Sequence, residues 1–108
     1  MPRYVFQMEI REGQGETLAE FVRDSEPQVR AASQAIEGFR SMDKFVLGDR
    51  YVEIIDVDGA FDDFGRQLSA DPEVRQFLRQ VWACFVQSPR EMDACRMQLL
   101  QSIRPAGE

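Results

Sequence analysis

Histidine is absent from this chain of 108 residues. That removes the commonest metal ligand and the side chain that most often acts as a base near neutral pH. A zinc or non-haem iron site is disfavoured for this reason, and so are Ser-His-Asp and Cys-His arrangements. Any chemistry must use carboxylates, arginines, tyrosine, thiols, backbone groups or the substrate itself. Cysteine is scarce as well. Cys84 and Cys95 are too few for a disulfide framework and form no Cys-x-x-Cys pair. Both are expected as reduced thiols of a core or pocket in the cytoplasm, with no metal and no cofactor. Basic residues are in deficit: 13 Lys and Arg face 19 Asp and Glu, a net charge of -6. An acidic surface repels phosphate backbones, so nucleic acid is not an expected partner. No apolar run approaches the roughly 20 residues of a membrane span. The start, Met1-Pro2-Arg3-Tyr4, runs straight into a strand pattern rather than a signal peptide.

What is present reads as one domain over residues 1–108. The chain is 44% hydrophobic, enough for one core. A chain this short leaves much of its surface exposed, which favours pairing with a second copy. Residues 3–10 alternate, with Tyr4, Phe6, Met8 and Ile10 on one face, and predict a strand. A helix follows from about Glu16, with Leu18, Phe21, Val22, Val29 and Ala32 on one stripe. Pro27 lies inside it and predicts a kink or a split near Ser25. Such a break is either a boundary between two helical pieces or the mouth of a pocket. A second strand is read over 36–47, with Phe39, Ser41, Asp43, Phe45 and Leu47 sharing one parity. A tight turn at Gly48-Asp49 joins it to a third strand, Arg50 to Val57.

Helical signals resume at Phe61, Phe64 and Leu68. Asp71-Pro72-Glu73 then starts another helix, with Asp as N-cap and Pro in the first turn. Its apolar face carries Val74, Phe77, Leu78, Val81 and Phe85. Ser88-Pro89-Arg90-Glu91 has capping-box spacing and predicts a single helical turn. Cys95 to Ile103 alternates loosely and predicts a fourth strand. The order gives an α+β, ferredoxin-like βαββαβ domain with a four-stranded antiparallel sheet, one face covered by helices and one bare. A bare face bearing Val5 and other apolar residues calls for a cover. Two such sheets packed face to face form a dimeric α+β barrel, so a homodimer is expected.

Several segments resemble a known group. Gly48-Asp49-Arg50-Tyr51-Val52-Glu53-Ile54-Ile55-Asp56-Val57-Asp58-Gly59 resembles the third strand of SchA/CurD-like proteins. Leu68-Ser69-Ala70-Asp71-Pro72-Glu73-Val74-Arg75 resembles the helix start that follows it, and Pro89-Arg90 echoes a third shared spot. These proteins belong with aromatic polyketide gene clusters of actinomycetes, including spore-pigment clusters. The resemblance implies a dimeric α+β barrel like the small polyketide cyclases and cofactor-free monooxygenases of antibiotic biosynthesis.

In such a fold the ligand lies between the helices and the covered sheet face, in a mainly apolar pocket with a few orienting polar groups. Trp82, at the edge of its helix stripe, can stack on a ring and still use its N–H. Phe39, Phe45 and Phe64 are further candidates for the substrate wall, and each has plain core packing as its alternative. Asp43 and Ser41 share a strand parity with Phe39 and Phe45. A carboxylate desolvated among aromatics suits a base, although a twist of the strand would leave it in water. Tyr51 is positioned to donate to a developing enolate. Arg40 and Arg96 would hold a phenolate, or pair with Glu9 or Glu53 across a dimer.

Asp43 and Tyr51 are therefore the candidate catalytic residues, and Trp82, Phe39, Phe45, Phe64 and Arg40 the candidate substrate contacts. Three functions follow. One is a cyclase or aromatase that orients a poly-β-ketone, where folding the substrate supplies most of the rate. The second is a cofactor-independent anthrone-type monooxygenase. The third is a non-catalytic accessory protein of a polyketide synthase. The expected partners are a second copy, an aromatic polyketide and synthase components, with no membrane.

Overall fold

A computed structural model of the protein describes residues 3–98, 100, 103 and 105–107. Strand β1 spans Arg3–Glu9, helix α1 Gly15–Gln34, β2 Phe39–Leu47, β3 Arg50–Val57, α2 Phe61–Leu68 and α3 Pro72–Ala83. A 3-10 helix, Pro89–Cys95, follows. The strands form one antiparallel sheet in the order β1-β3-β2. Period-two alternation puts Phe6, Met8, Tyr51, Ile55 and Val57 on the face that the helices cover, where all are buried. Leu18 and Val29 of α1, Phe64 and Leu68 of α2, and Val74 of α3 complete the core.

The sheet has three strands where the sequence predicts four. The cause lies along the outer edge of β1. Val86 N–H donates to the Glu9 carbonyl at 2.8 Å, and Met97 N–H donates to the Val5 carbonyl at 2.7 Å. The 3-10 helix bulges out between these two points, so the described part of the segment pairs in strand fashion along this edge only at the isolated bridges Ile10–Phe85 and Phe6–Arg96. The Ser88–Glu91 spacing predicts this helix. Ser88 N–H donates to Glu91 Oε1 at 3.1 Å, and Pro89 occupies the first turn. Of the stretch read as a fourth strand, 99, 101 and 102 lie outside the described residues. The described residues after Arg96 have no strand structure.

Two further expectations need correction. Helix α1 is not split at Pro27 but continues through it. Pro27 and Arg23, whose carbonyl loses its partner, are both exposed, so water satisfies the lost bond. Phe39 also does not share a face with Asp43 and Phe45. The β2–β3 register pairs Phe39 with Val57 but Ser41 with Asp56, which leaves Arg40 as an extra residue. Beyond this bulge the parity flips. Met42, Lys44 and Val46 pair with Ile55, Glu53 and Tyr51 of the covered face, whereas Asp43 and Phe45 pair with Ile54 and Val52 of the bare one.

Helix α3 begins as its sequence dictates. Asp71 Oδ1 accepts from the N–H groups of Glu73 at 2.9 Å and Val74 at 3.1 Å. The turn into β2 depends on Gly38, whose φ is +88°. The Gly38 carbonyl accepts from Asp58 N–H at 2.8 Å, and a Cβ at Gly38 would stand 3.1 Å from Asp58 Cβ. Gly13 also has a positive φ, but nothing lies near its missing Cβ. Gly38→Ala is therefore expected to destabilise by about 1 kcal/mol more than Gly13→Ala, the difference being the close approach rather than the φ strain. Urea denaturation of the two variants measures it, and equal losses would contradict the account.

Candidate functional site

Helix α1 does not close fully onto β2. Between them lies an open cleft of about 450 Å³. Val22, Val29, Phe39 and Met42 give its wall an apolar part, and Ser33, Ser41, Glu26, Arg30, Asp43 and Lys44 are among its polar lining. A second, inner cavity of about 30 Å³ lies deeper, between the sheet and α3. Its lining includes Ser25, Tyr51, Glu53, Leu78, Trp82 and Phe85. Val29 and Lys44 line both spaces and so form a neck between them.

The two lobes differ in what they accept. The outer one, at about 450 Å³, has room for a flat fused-ring molecule. The inner one has room for a water or for a small substituent such as a carbonyl with its neighbouring methylene, on the scale of about 10–15 Å³ per water-sized sphere. Trp82 stands in the inner wall, edge-on to Phe85 with ring centres 5.3 Å apart. Phe39 stands in the outer wall, stacked on Phe64 at 5.8 Å and 12°. Ser33 is buried at the cleft wall, and its Oγ has no hydrogen-bond partner among the described residues. A ligand oxygen there would satisfy it.

The structure brings together Trp82 and Tyr51 in the inner lobe, and Phe39 and Asp43 in the outer one. Three candidates fall outside both lobes. Phe64 is a core residue behind Phe39. Phe45 is 54% exposed on the bare face. Arg40, at the bulge, holds Asp58 through Nε–Oδ1 at 3.0 Å, and this bond raises its pKa. Arg96 pairs with neither Glu9 nor Glu53 in this chain; its guanidinium lies 4.5 Å over the Tyr4 ring. There it borders a separate surface cleft with Asp62 and Asp93.

Two residues that the sequence does not single out as chemistry stand side by side here, Lys44 at the neck and Glu53 in the wall of the inner cavity. Lys44 and Glu53 are register partners on the covered face. Burial pushes the Glu53 carboxyl above its ordinary pKa, and the positive charge of Lys44 opposes the shift. Burial also pushes the Tyr51 hydroxyl well up, with Glu53 adding to it, so Tyr51 is a neutral donor rather than a base. The buried thiols of Cys84 and Cys95 are raised too, Cys95 additionally by Glu91, which makes them poor nucleophiles. The neck was hidden by the Arg40 bulge. Without it, Lys44 would take the opposite parity from Phe39 and face away. Among the described residues no cluster of carboxylates or thiols has the form of a metal site. No helix there is long and apolar enough to cross a membrane.

No family model matches the chain, and no curated protein is significantly similar to it in sequence. Solved structures do match. Tetracenomycin F2 cyclase from Streptomyces glaucescens, a type-II polyketide cyclase, superposes with a TM-score of 0.68 at 14% identity, over 97% of this chain and 99% of that one. A putative antibiotic biosynthesis monooxygenase from Bordetella bronchiseptica gives 0.55 at 15% identity, over 80% and 86%. A protein of Mycobacterium tuberculosis gives 0.60 at 14% identity, over 97% of each chain. At such identities the likeness concerns architecture, and the chain has the ferredoxin-like α+β fold that these proteins share.

Proposed function

We propose that the protein is a small cytoplasmic cyclase of aromatic polyketide biosynthesis, which orients a poly-β-ketone or polycyclic intermediate in the helix–sheet cleft. The observation that carries this reading is the shape of the cleft. A ring-sized, largely apolar outer lobe narrows onto a polar neck, so a flat ligand is held with one oxygenated edge inward. A reactive polyketone needs orientation more than strong catalysis, and a walled cleft supplies that. The full-length likeness to the tetracenomycin F2 cyclase supports the same reading. The likeness to the Bordetella protein favours a second one, oxygenation of an anthrone without a cofactor. Oxygen uptake on addition of an anthrone separates the two.

The functional unit in this proposal is a homodimer joined through the bare sheet faces. Val5, Val52, Ile54 and Phe45 lie on that face, and Leu47 at its end is 83% exposed. Apolar side chains grouped on an open sheet lose contact with water when a second copy covers them.

The flat probe 1,8-dihydroxyanthraquinone is expected to quench Trp82 fluorescence saturably. Phe39→Ala is expected to weaken that binding about fivefold, the loss of one stacking wall at about 1 kcal/mol. Absence of saturable quenching would remove the pocket reading, and an unchanged affinity in Phe39→Ala would move the ligand out of the outer lobe. Light scattering at micromolar concentration is expected to give twice the chain mass, and Phe45→Glu, which charges the bare face, to give the monomer. A monomeric parent protein would sink the dimer.

A further inference from the structure

The inner cavity holds a carboxylate that packing alone does not explain. In register, Glu53 lies between Phe6 of β1 and Lys44 of β2, on the face under the helices. A methionine or leucine would fill this place without the desolvation cost of a charge. The ion pairs among the described residues join Arg30 to Glu26, Arg40 to Asp58, Arg50 to Asp49 and Arg66 to Asp63. Neither Glu53 nor Lys44 takes part in them. The cavity wall around Glu53 carries no charge besides Lys44. To it α3 contributes Phe77, Leu78, Val81 and Trp82, and the strand of Glu53 the neutral Tyr51. Helix α1 contributes Val29 and Ser25, whose hydroxyl donates to the Val22 carbonyl at 3.1 Å. Glu26 and Arg30 of α1 face the outer lobe and are occupied with each other.

We propose that Glu53 is the base that takes a carbon-bound proton from a ligand in the pocket, and that Lys44 at the neck is the counter-ion of the enolate so formed. This rests on the pocket reading above. The step balances within the site. The C–H bond of a methylene beside a carbonyl breaks, and its proton forms an O–H bond on the Glu53 carboxylate. The released electron pair becomes a C=C bond, and the carbonyl π pair moves onto the oxygen, next to the Lys44 ammonium. One negative charge leaves Glu53 and one appears on the ligand, so the buried space gains no net charge. When the enolate carbon attacks a second carbonyl of the same ligand, the new alkoxide takes the proton back from Glu53. A C–C bond has then formed, and the base is restored. The upward push on the Glu53 carboxyl makes it a stronger base than a carboxylate in water.

The α-protons of 1-tetralone, a flat aromatic ketone, exchange slowly in neutral D2O and serve as the probe, followed by NMR. The wild-type protein is expected to speed this exchange, with a rate that rises with pH through one ionisation. Glu53→Gln is expected to lower the protein-catalysed rate by about a hundredfold, the lower part of the range for positioned acid–base groups. Glu53→Asp keeps the carboxylate, and should keep the pH dependence at a reduced rate. Lys44→Met should slow the exchange and move the inflection to higher pH, because Lys44 holds the carboxyl down; a merely structural role would leave the inflection in place.

Folding of Glu53→Gln has its own check. With the folded pKa raised above the unfolded one, the folded chain retains a proton that the unfolded chain has released, and stability falls as pH rises through that window. Glu53→Gln escapes this loss, so at neutral pH it should melt at a higher temperature than the wild type. If 1-tetralone quenches Trp82 but the wild type does not exchange it, or if Glu53→Gln exchanges it as fast, the proton-transfer proposal falls and the pocket reading stands. If neither 1-tetralone nor 1,8-dihydroxyanthraquinone binds, both fall; if only the anthraquinone binds, the proton-transfer proposal alone falls. An unmoved inflection in Lys44→Met removes Lys44 from the step.

Discussion

Arg40 sits in β2 as one residue too many, and the pairing that follows it places a lysine opposite a glutamate beneath the helices. Had β2 continued without the bulge, Asp43 and Phe45 would have faced α1 and Lys44 would have faced away. The cleft would then have an aromatic floor and no lysine. The bulge is held from outside, where the Arg40 guanidinium meets both carboxylate oxygens of Asp58 at 3.0 and 3.3 Å. Asp58 is itself tied to Gly38 through the backbone. A local device at one end of the hairpin thus decides the charge of a pocket two pleats further along.

The pocket is a compromise between closure and chemistry. Along β1 and the far end of β3 the helices cover the sheet, and Phe6, Met8, Ile55 and Val57 are almost fully buried. Toward β2 the packing opens. Ser25 and Ser33, both buried, replace the larger apolar residues that would close α1 onto the strand. Small hydroxyls on that side of α1 give space, and the charged pair opposite them gives polarity. A protein selected for stability alone would fill this corner.

The sequence made the element order readable because its periodicities are clean. The limits of β3, the Asp71 cap with Pro72 after it, and the capping-box turn at Ser88 all follow from local chemistry. So does the position of Trp82 at the edge of its helix stripe, facing the inner lobe. The reading goes astray where non-local geometry overrides pattern. The bulge at Arg40 has no local signature, so the residue alternation alone puts Phe39 and Asp43 on one face. Pro27 predicts a break, yet it lies on the solvent side, where a helix tolerates the loss of one bond. The pairing of Lys44 with Glu53 depends on strand register, which becomes known only once the bulge is placed.

The two margins of the sheet meet the outside in different ways. Along β1, Val5 and Glu9 are tied to the chain's own later residues, and Glu9 N–H is further taken by the Gln87 side chain at 2.8 Å. By the alternation of the strand, only the Gln7 peptide groups turn outward between those ties. A foreign strand arriving there would find a foothold one residue long. Along β2 no such seal exists among the described residues, and that margin runs beside the mouth of the cleft. Any lengthening of the sheet by another peptide must therefore occur at β2, where it would also narrow the entrance.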